Sequence, residues 1–134
     1  MSELTSNANL VAADLIATGV KAGAKAFAVT QNFGQVLLAN VRRRASLPRT
    51  GPPGPRLQTG DYVRSWSVTT TLGAMGPTAT AGTNAPQARR LELGFNGTDS
   101  LGRRYAQPPY SHAGPALDET APAFYAAIAA IAVD

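Results

Sequence analysis

Few residues in this chain can do acid-base or nucleophilic chemistry. His112 is its single histidine and lies in a loop rich in proline and tyrosine, Gln107-Pro108-Pro109-Tyr110-Ser111-His112. An imidazole there is a possible general base, but no serine or cysteine signature accompanies it, and lone loop histidines are seldom catalytic. The chain has no cysteine, which excludes disulfides and thiolate chemistry and fits a reducing compartment or an indifference to redox state. Metal ligation lacks a second histidine, and the 8 Asp and Glu residues are scattered without EF-hand spacing. Gly51-Pro52-Pro53-Gly54 precedes neither a Lys-Ser pair nor a helix, so it is no phosphate loop. These absences lead us to expect a non-enzyme with no cofactor, no metal and no small-molecule substrate.

The charged residues then need another use. With 12 Lys and Arg, the formal net charge is +4, well short of the dense basic stripes of dedicated DNA binders. Arg42-Arg43-Arg44 complements the negative end of a preceding helix. Contact with an acidic protein surface, or with phosphate, competes with that reading. Arg103-Arg104-Tyr105 suits stacking on, or pairing with, a partner, and equally a solvated loop tip. Glu92, close behind Arg89 and Arg90, is expected to pair at the surface with an arginine such as Arg64, or with one from a neighbouring subunit. Asp99 beside Ser100 and Gly102 reads as a turn former.

The elements that would position these residues follow from periodicity. From Asn9 to Arg44 there is no proline and much alanine, so one long helix is predicted, weakened at Gly19, Gly23 and Gly34. Val11, Leu15, Val29, Phe33, Val36 and Leu37 fall on one side of it, and Ile16, Val20, Phe27, Leu38 and Val41 on nearly the opposite side. Two apolar stripes suggest a helix lying between its own sheet and a neighbouring copy; a break near Gly19 to Gly23 would instead turn both stripes inward. Residues 47–59, with four prolines and two glycines, form an extended arm, either a connector or a polyproline segment for a partner. Trp66, Val68, Thr70 and Leu72 alternate with Ser65, Ser67, Thr69 and Thr71 as a strand. A turn at Gly73 to Pro77 leads to a second strand, Thr78 to Thr83. Ala85 to Leu93 reads as a short helix, with Leu91, Leu93 and Phe95 packing it and Gly94 turning the backbone, and 96–112 as a loop reaching outward. Leu117, Ala121, Phe124, Ile128 and Ile131 then mark the buried face of a C-terminal helix, with Pro115 in its first turn and Pro122 as a misfit implying a kink or a later start. Together these give a single α+β domain over 1–134: a long N-terminal helix, a small antiparallel sheet, a short helix and a C-terminal helix, with a long Pro-rich loop. Neither a signal peptide nor a membrane-length apolar run is evident.

Three stretches carry a resemblance. Thr59-Gly60-Asp61-Tyr62-Val63-Arg64-Ser65-Trp66 resembles a TG-x-L-x-x-S-hydrophobic signature, and Arg90-Leu91-Glu92-Leu93-Gly94 resembles (Y/R)-hydrophobic-E-(F/L)-G. Pro108-Pro109-Tyr110 followed by Pro115-Ala116-Leu117 resembles a hydrophobic loop closed by R-P-A-L, with Gly114 standing where the arginine is usual. In this order after a long helix they are similar to the gene-product-ten-like neck proteins of phages with long, non-contractile tails. The likeness spans about residues 10 to 132. It implies a virion protein, assembled in the host cytoplasm, that forms a homo-oligomeric ring between head-closure or portal-side proteins and the tail terminator or tail tube. DNA would be passing cargo, and no membrane is involved. Residues placed at subunit contacts on this reading are Ile16, Val20, Phe27, Arg42, Arg43, Arg44, Arg89, Arg90, Asp99, Arg103, Arg104, Tyr105, Tyr110 and His112. A tail-completion or tail-terminator protein is the nearest rival, and a DNA-binding protein the more distant one.

Overall fold

A computed structural model describes residues 2–7, 10–17, 23–46, 60–73, 76–86, 88–93, 95–98, 102, 104–107 and 111–133; at positions 2, 6, 7, 60, 90, 95–98, 104–107, 132 and 133 it describes the backbone alone, so the packing expected of Phe95 lies outside it. The Pro-rich arm at 47–59, Val20, Thr59, Gly94, Asp99, Arg103, Pro109 and Tyr110 lie outside the described residues.

The chain is α+β, with helices beside a small antiparallel sheet. Strands β1 (Ser2–Asn7) and β2 (Leu10–Ile16) come first, then helices α1 (Ala24–Ala45) and α2 (Gly60–Ser65), and strands β3 (Ser67–Gly73) and β4 (Gly76–Thr83). Helix α3 (Ala88–Leu93), strands β5 (Phe95–Thr98) and β6 (Arg104–Gln107), and helix α4 (Ala113–Val133) complete it. The main sheet has the order β1-β2-β4-β3, antiparallel throughout, and β5 pairs with β6 as a separate hairpin.

The helix predicted from Asn9 therefore begins at Ala24, and two strands precede it. In β2, Val11, Ala13 and Leu15 are fully buried while Asp14 and Ile16 are half-buried and Ala12 is buried as well, so from Ala13 onward the pattern alternates as in a strand with one face on a core. The small residues of β4 suit this pairing: Ala13 lies opposite Ala81, and Leu15 opposite Ala79. Ile16 thus belongs to the outer face of a sheet and not to a helix.

Much of both apolar stripes of α1 finds cover inside the subunit, although Val36 stays 46% exposed and Phe27 half-buried. One side meets β3 and β4 so closely that a Cβ at Gly34 would lie 2.9 Å from the Ala79 Cβ and 3.2 Å from Val68 Cγ2. The other side meets α4, with the Phe33 and Phe124 rings edge to face at 5.7 Å and Asn40 donating to Thr120 Oγ1 at 2.9 Å. Since Arg43 and Arg44 reach Glu119 while Phe33 reaches Phe124, the two helices run antiparallel, and α4 continues onto β1 and β2. Two helices side by side on one sheet face enclose Leu15, Leu37, Val41, Ala79, Phe124 and Ile128.

Three smaller differences follow the same logic. Trp66 stands just before β3, fully buried at its junction with α2. Part of the stretch at 96–112 is a β-hairpin. Pro122 sits within α4, which starts at Ala113 and continues past it with Pro122 on the exposed side.

Candidate functional site

The three resembling stretches supply α2 with Trp66, α3, and the start of α4. They are far apart in sequence, and the fold brings them to one buried joint. Glu92, at the end of α3, is its hub. Its Oε1 accepts the backbone N–H groups of His112 (3.0 Å) and Ala113 (2.9 Å), and its Oε2 accepts that of Gly114 (3.1 Å). The first turn of any α-helix leaves N–H groups without intrahelical acceptors, and a carboxylate there also complements the helix dipole. Ser111 Oγ adds a bond of 2.7 Å to the Glu92 carbonyl. The pairing of Glu92 with Arg64 at the surface is therefore corrected. Glu92 is only 3% exposed, and Arg64 pairs instead with Asp61 at 2.6 Å, both of them solvent-exposed.

His112 is completely buried. Its Nε2 is 2.6 Å from the Tyr62 hydroxyl and its Nδ1 is 3.6 Å from Glu92 Oε1. Nδ1 is thus turned toward the Glu92 carboxylate, and Nε2 shares a hydrogen bond with the Tyr62 hydroxyl. The ring also lies edge to face with Tyr62 (5.6 Å) and Trp66 (5.7 Å), a geometry aromatic systems favour. Burial, with the Glu92 carboxylate adding to it, pushes the Tyr62 phenol well above its ordinary range, so it stays a neutral donor.

Around this joint the other motif residues are structural. Ser65 Oγ donates to the Tyr62 carbonyl at 2.5 Å and shares a 2.6 Å bond with Thr83 Oγ1, which accepts from the Ala85 N–H at 3.1 Å. Leu91 and Ala116 are buried, Leu117 nearly so, and Pro115 stands half-buried in the first turn of α4. Leu93, expected to pack α3, is 51% exposed instead, because a six-residue helix with Leu91 and Glu92 turned inward leaves its last side chain outside. Gly60 opens α2.

The arginine run meets the same region. Arg42 donates to the Trp66 carbonyl at 2.6 Å. Arg43 holds both Glu119 oxygens, at 2.8 and 2.9 Å, and Arg44 donates to Glu119 Oε2 from Nε (2.9 Å) and Nη2 (2.6 Å). The Arg44 bond, with both guanidinium charges near, lowers the Glu119 pKa. Arg89 is exposed on α3, and Phe27 is half-buried beside an apolar hollow of about 330 Å³ shared with Gly23, Ala24 and Leu72.

The chemistry of this joint is cohesive. Its carboxylate is occupied by three backbone donors and its imidazole is closed to solvent. Among the described residues no group of three or more His, Asp or Glu is placed to hold a metal ion. A second depression, of about 200 Å³, is lined by hydroxyls of Ser65, Ser67, Thr69, Thr80 and Thr83 with no acid or base among its residues. Among the described residues no helix is long and apolar enough to cross a membrane. The sequence singled out Glu92 and His112 but not their meeting, and it missed Tyr62, Thr83 and Glu119 as partners; the only signal for Tyr62 was its place within a quoted motif. No protein-family model, curated protein or solved structure matches the chain.

Proposed function

We propose that this chain is a structural component of a phage virion, a neck protein that forms a ring joining the head-closure or portal side to a long, non-contractile tail. The observation that carries the reading is the joint itself. The segments that resemble the three neck-protein signatures contribute Tyr62, Glu92, His112 and the capped start of α4 to one hydrogen-bonded cluster, against which the Trp66 ring packs edge to face on His112. Residues that recur as signatures because they lock a fold need no catalytic role, and this cluster spends its polar groups on holding α2, α3 and α4 together. Arg42, Arg43 and Arg44 are engaged with protein groups, which leaves less of their charge for nucleic acid.

The test is co-sedimentation of the purified protein with isolated heads and with isolated tails of the phage that encodes it. Binding to one of these particles, insensitive to nuclease, is the expected result, and the particle names the address: tail tube alone for a terminator, head-closure side for a neck ring. A protein that ignores both particles and binds duplex DNA, with affinity falling steeply as salt rises, overturns the proposal.

A further inference from the structure

Among the described residues the main sheet has two open edges. β1 and β3 are its outermost strands, and among the described residues no backbone hydrogen bond reaches the outer side of either. Open edges invite pairing with another chain, and proteins that must avoid it blunt them with bulges, prolines or charges. β3, SVTTTLG, has none of these devices. Its register with β4 runs unbroken from Ser67 to Gly73, and it contains neither proline nor a charged residue. β1 carries a single charge, Glu3.

A second observation points the same way. The large apolar side chains left exposed include Leu4 (40%) on β1 and Leu72 (63%) on β3. Both point to the helix-covered face of the sheet, since Leu4 lies opposite the buried Ala13 and Leu72 opposite the buried Pro77. Each edge therefore has unpaired backbone beside an apolar side chain of the inner layer, and one added strand would cover both.

We infer that the occupant of the β3 edge is the β1 edge of a second copy of this chain, so that the sheets of successive subunits join into one. Strands of seven and six residues match in length. The uncharged β3 meets Glu3 without like-charge repulsion. Pairing β3 with β1 uses both edges of every subunit, whereas pairing like with like would leave one edge open. Such a contact is heterologous, the kind that closes into rings. The inference rests on the ring reading above and specifies its seam.

Because the chain has no cysteine, the seam can be tested by site-directed cross-linking. Full-length chains carrying only Thr69→Cys are mixed with chains carrying only Thr5→Cys, and treated with a short flexible bis-maleimide, free and bound to phage particles. Thr71→Cys with Glu3→Cys repeats the test at a second position of the same antiparallel register. Thr5, Thr69, Thr71 and Glu3 are exposed, so the substitutions leave the core untouched. Cross-links between the two kinds of chain, and none within either kind, are expected. Links of β3 to β3 overturn the seam in favour of a two-fold contact. Absence of any link also overturns it, and the mass by light scattering separates the two failures: an oligomer without links keeps the ring and loses the seam, whereas a monomer that binds no particle loses both.

Discussion

At the scale of single residues, Glu92 decides how the C-terminal half is held. Truncating it removes the acceptor for three backbone N–H groups where it is buried. Helix caps are worth about 0.5–2 kcal/mol, and a buried donor left unsatisfied costs about 1–3 kcal/mol. Glu92→Ala should therefore destabilise by about 2–3 kcal/mol, read as a lower urea midpoint, and Glu92→Gln, which keeps one acceptor, by about half of that. Tyr62 gives a pH prediction. Its folded-state pKa is raised above the ordinary value of 10.0, so the folded form holds its proton more tightly than the unfolded form. The stability this contributes is complete below pH 10 and falls as pH rises beyond it. The thermal midpoint should drop between about pH 10 and 11.5, and Tyr62→Phe should lower it at neutral pH while flattening that drop. His112 was legible as a lone histidine, but the contacts that make it structural join residues 50 and 20 positions away, and no local pattern records them.

Among the elements, the crossing of α1 over the sheet has the least room. Alanine in place of glycine inside a helix gains about 1 kcal/mol in propensity. At Gly34 the new methyl would lie 2.9 Å from the Ala79 Cβ, and overpacking of this kind costs about 1–3 kcal/mol. Gly34→Ala should therefore be net destabilising, whereas Gly34→Ala with Ala79→Gly should recover much of the loss, a pattern that a double-mutant cycle in urea would measure. Gly76, at φ +130° with a would-be Cβ 2.1 Å from the Ala17 carbonyl oxygen, should tolerate no side chain at all. The β3–β4 hairpin and α4 were legible because period-two and 3.6-residue patterns there are long and unambiguous. The first two strands were not. Val11, Ala13, Leu15 and Ala17 among further alanines fit an alanine-rich helix as well as a strand, and what selects the strand is pairing with the small residues of β4, which lies more than 60 positions later in the chain. Strands of four residues, such as β5 and β6, leave too short a period to read.

For the whole molecule, the two-layer arrangement bears on where the contact of the proposed ring would lie. Most of both stripes of α1 is covered by the sheet and by α4, with Val36 left exposed. Among the described residues the open strand edges, the exposed Leu4, Val36 and Leu72, and the exposed Arg89 remain available. The central claim is that shape and assembly, not chemistry at a site, are what this chain contributes. Its most direct test is the mass of the purified protein in solution by light scattering, alone and with isolated heads or tails. The account predicts an integral multiple of 13.9 kDa, formed either by the protein itself or on one of those particles. A species that stays at 13.9 kDa and ignores both particles would contradict it.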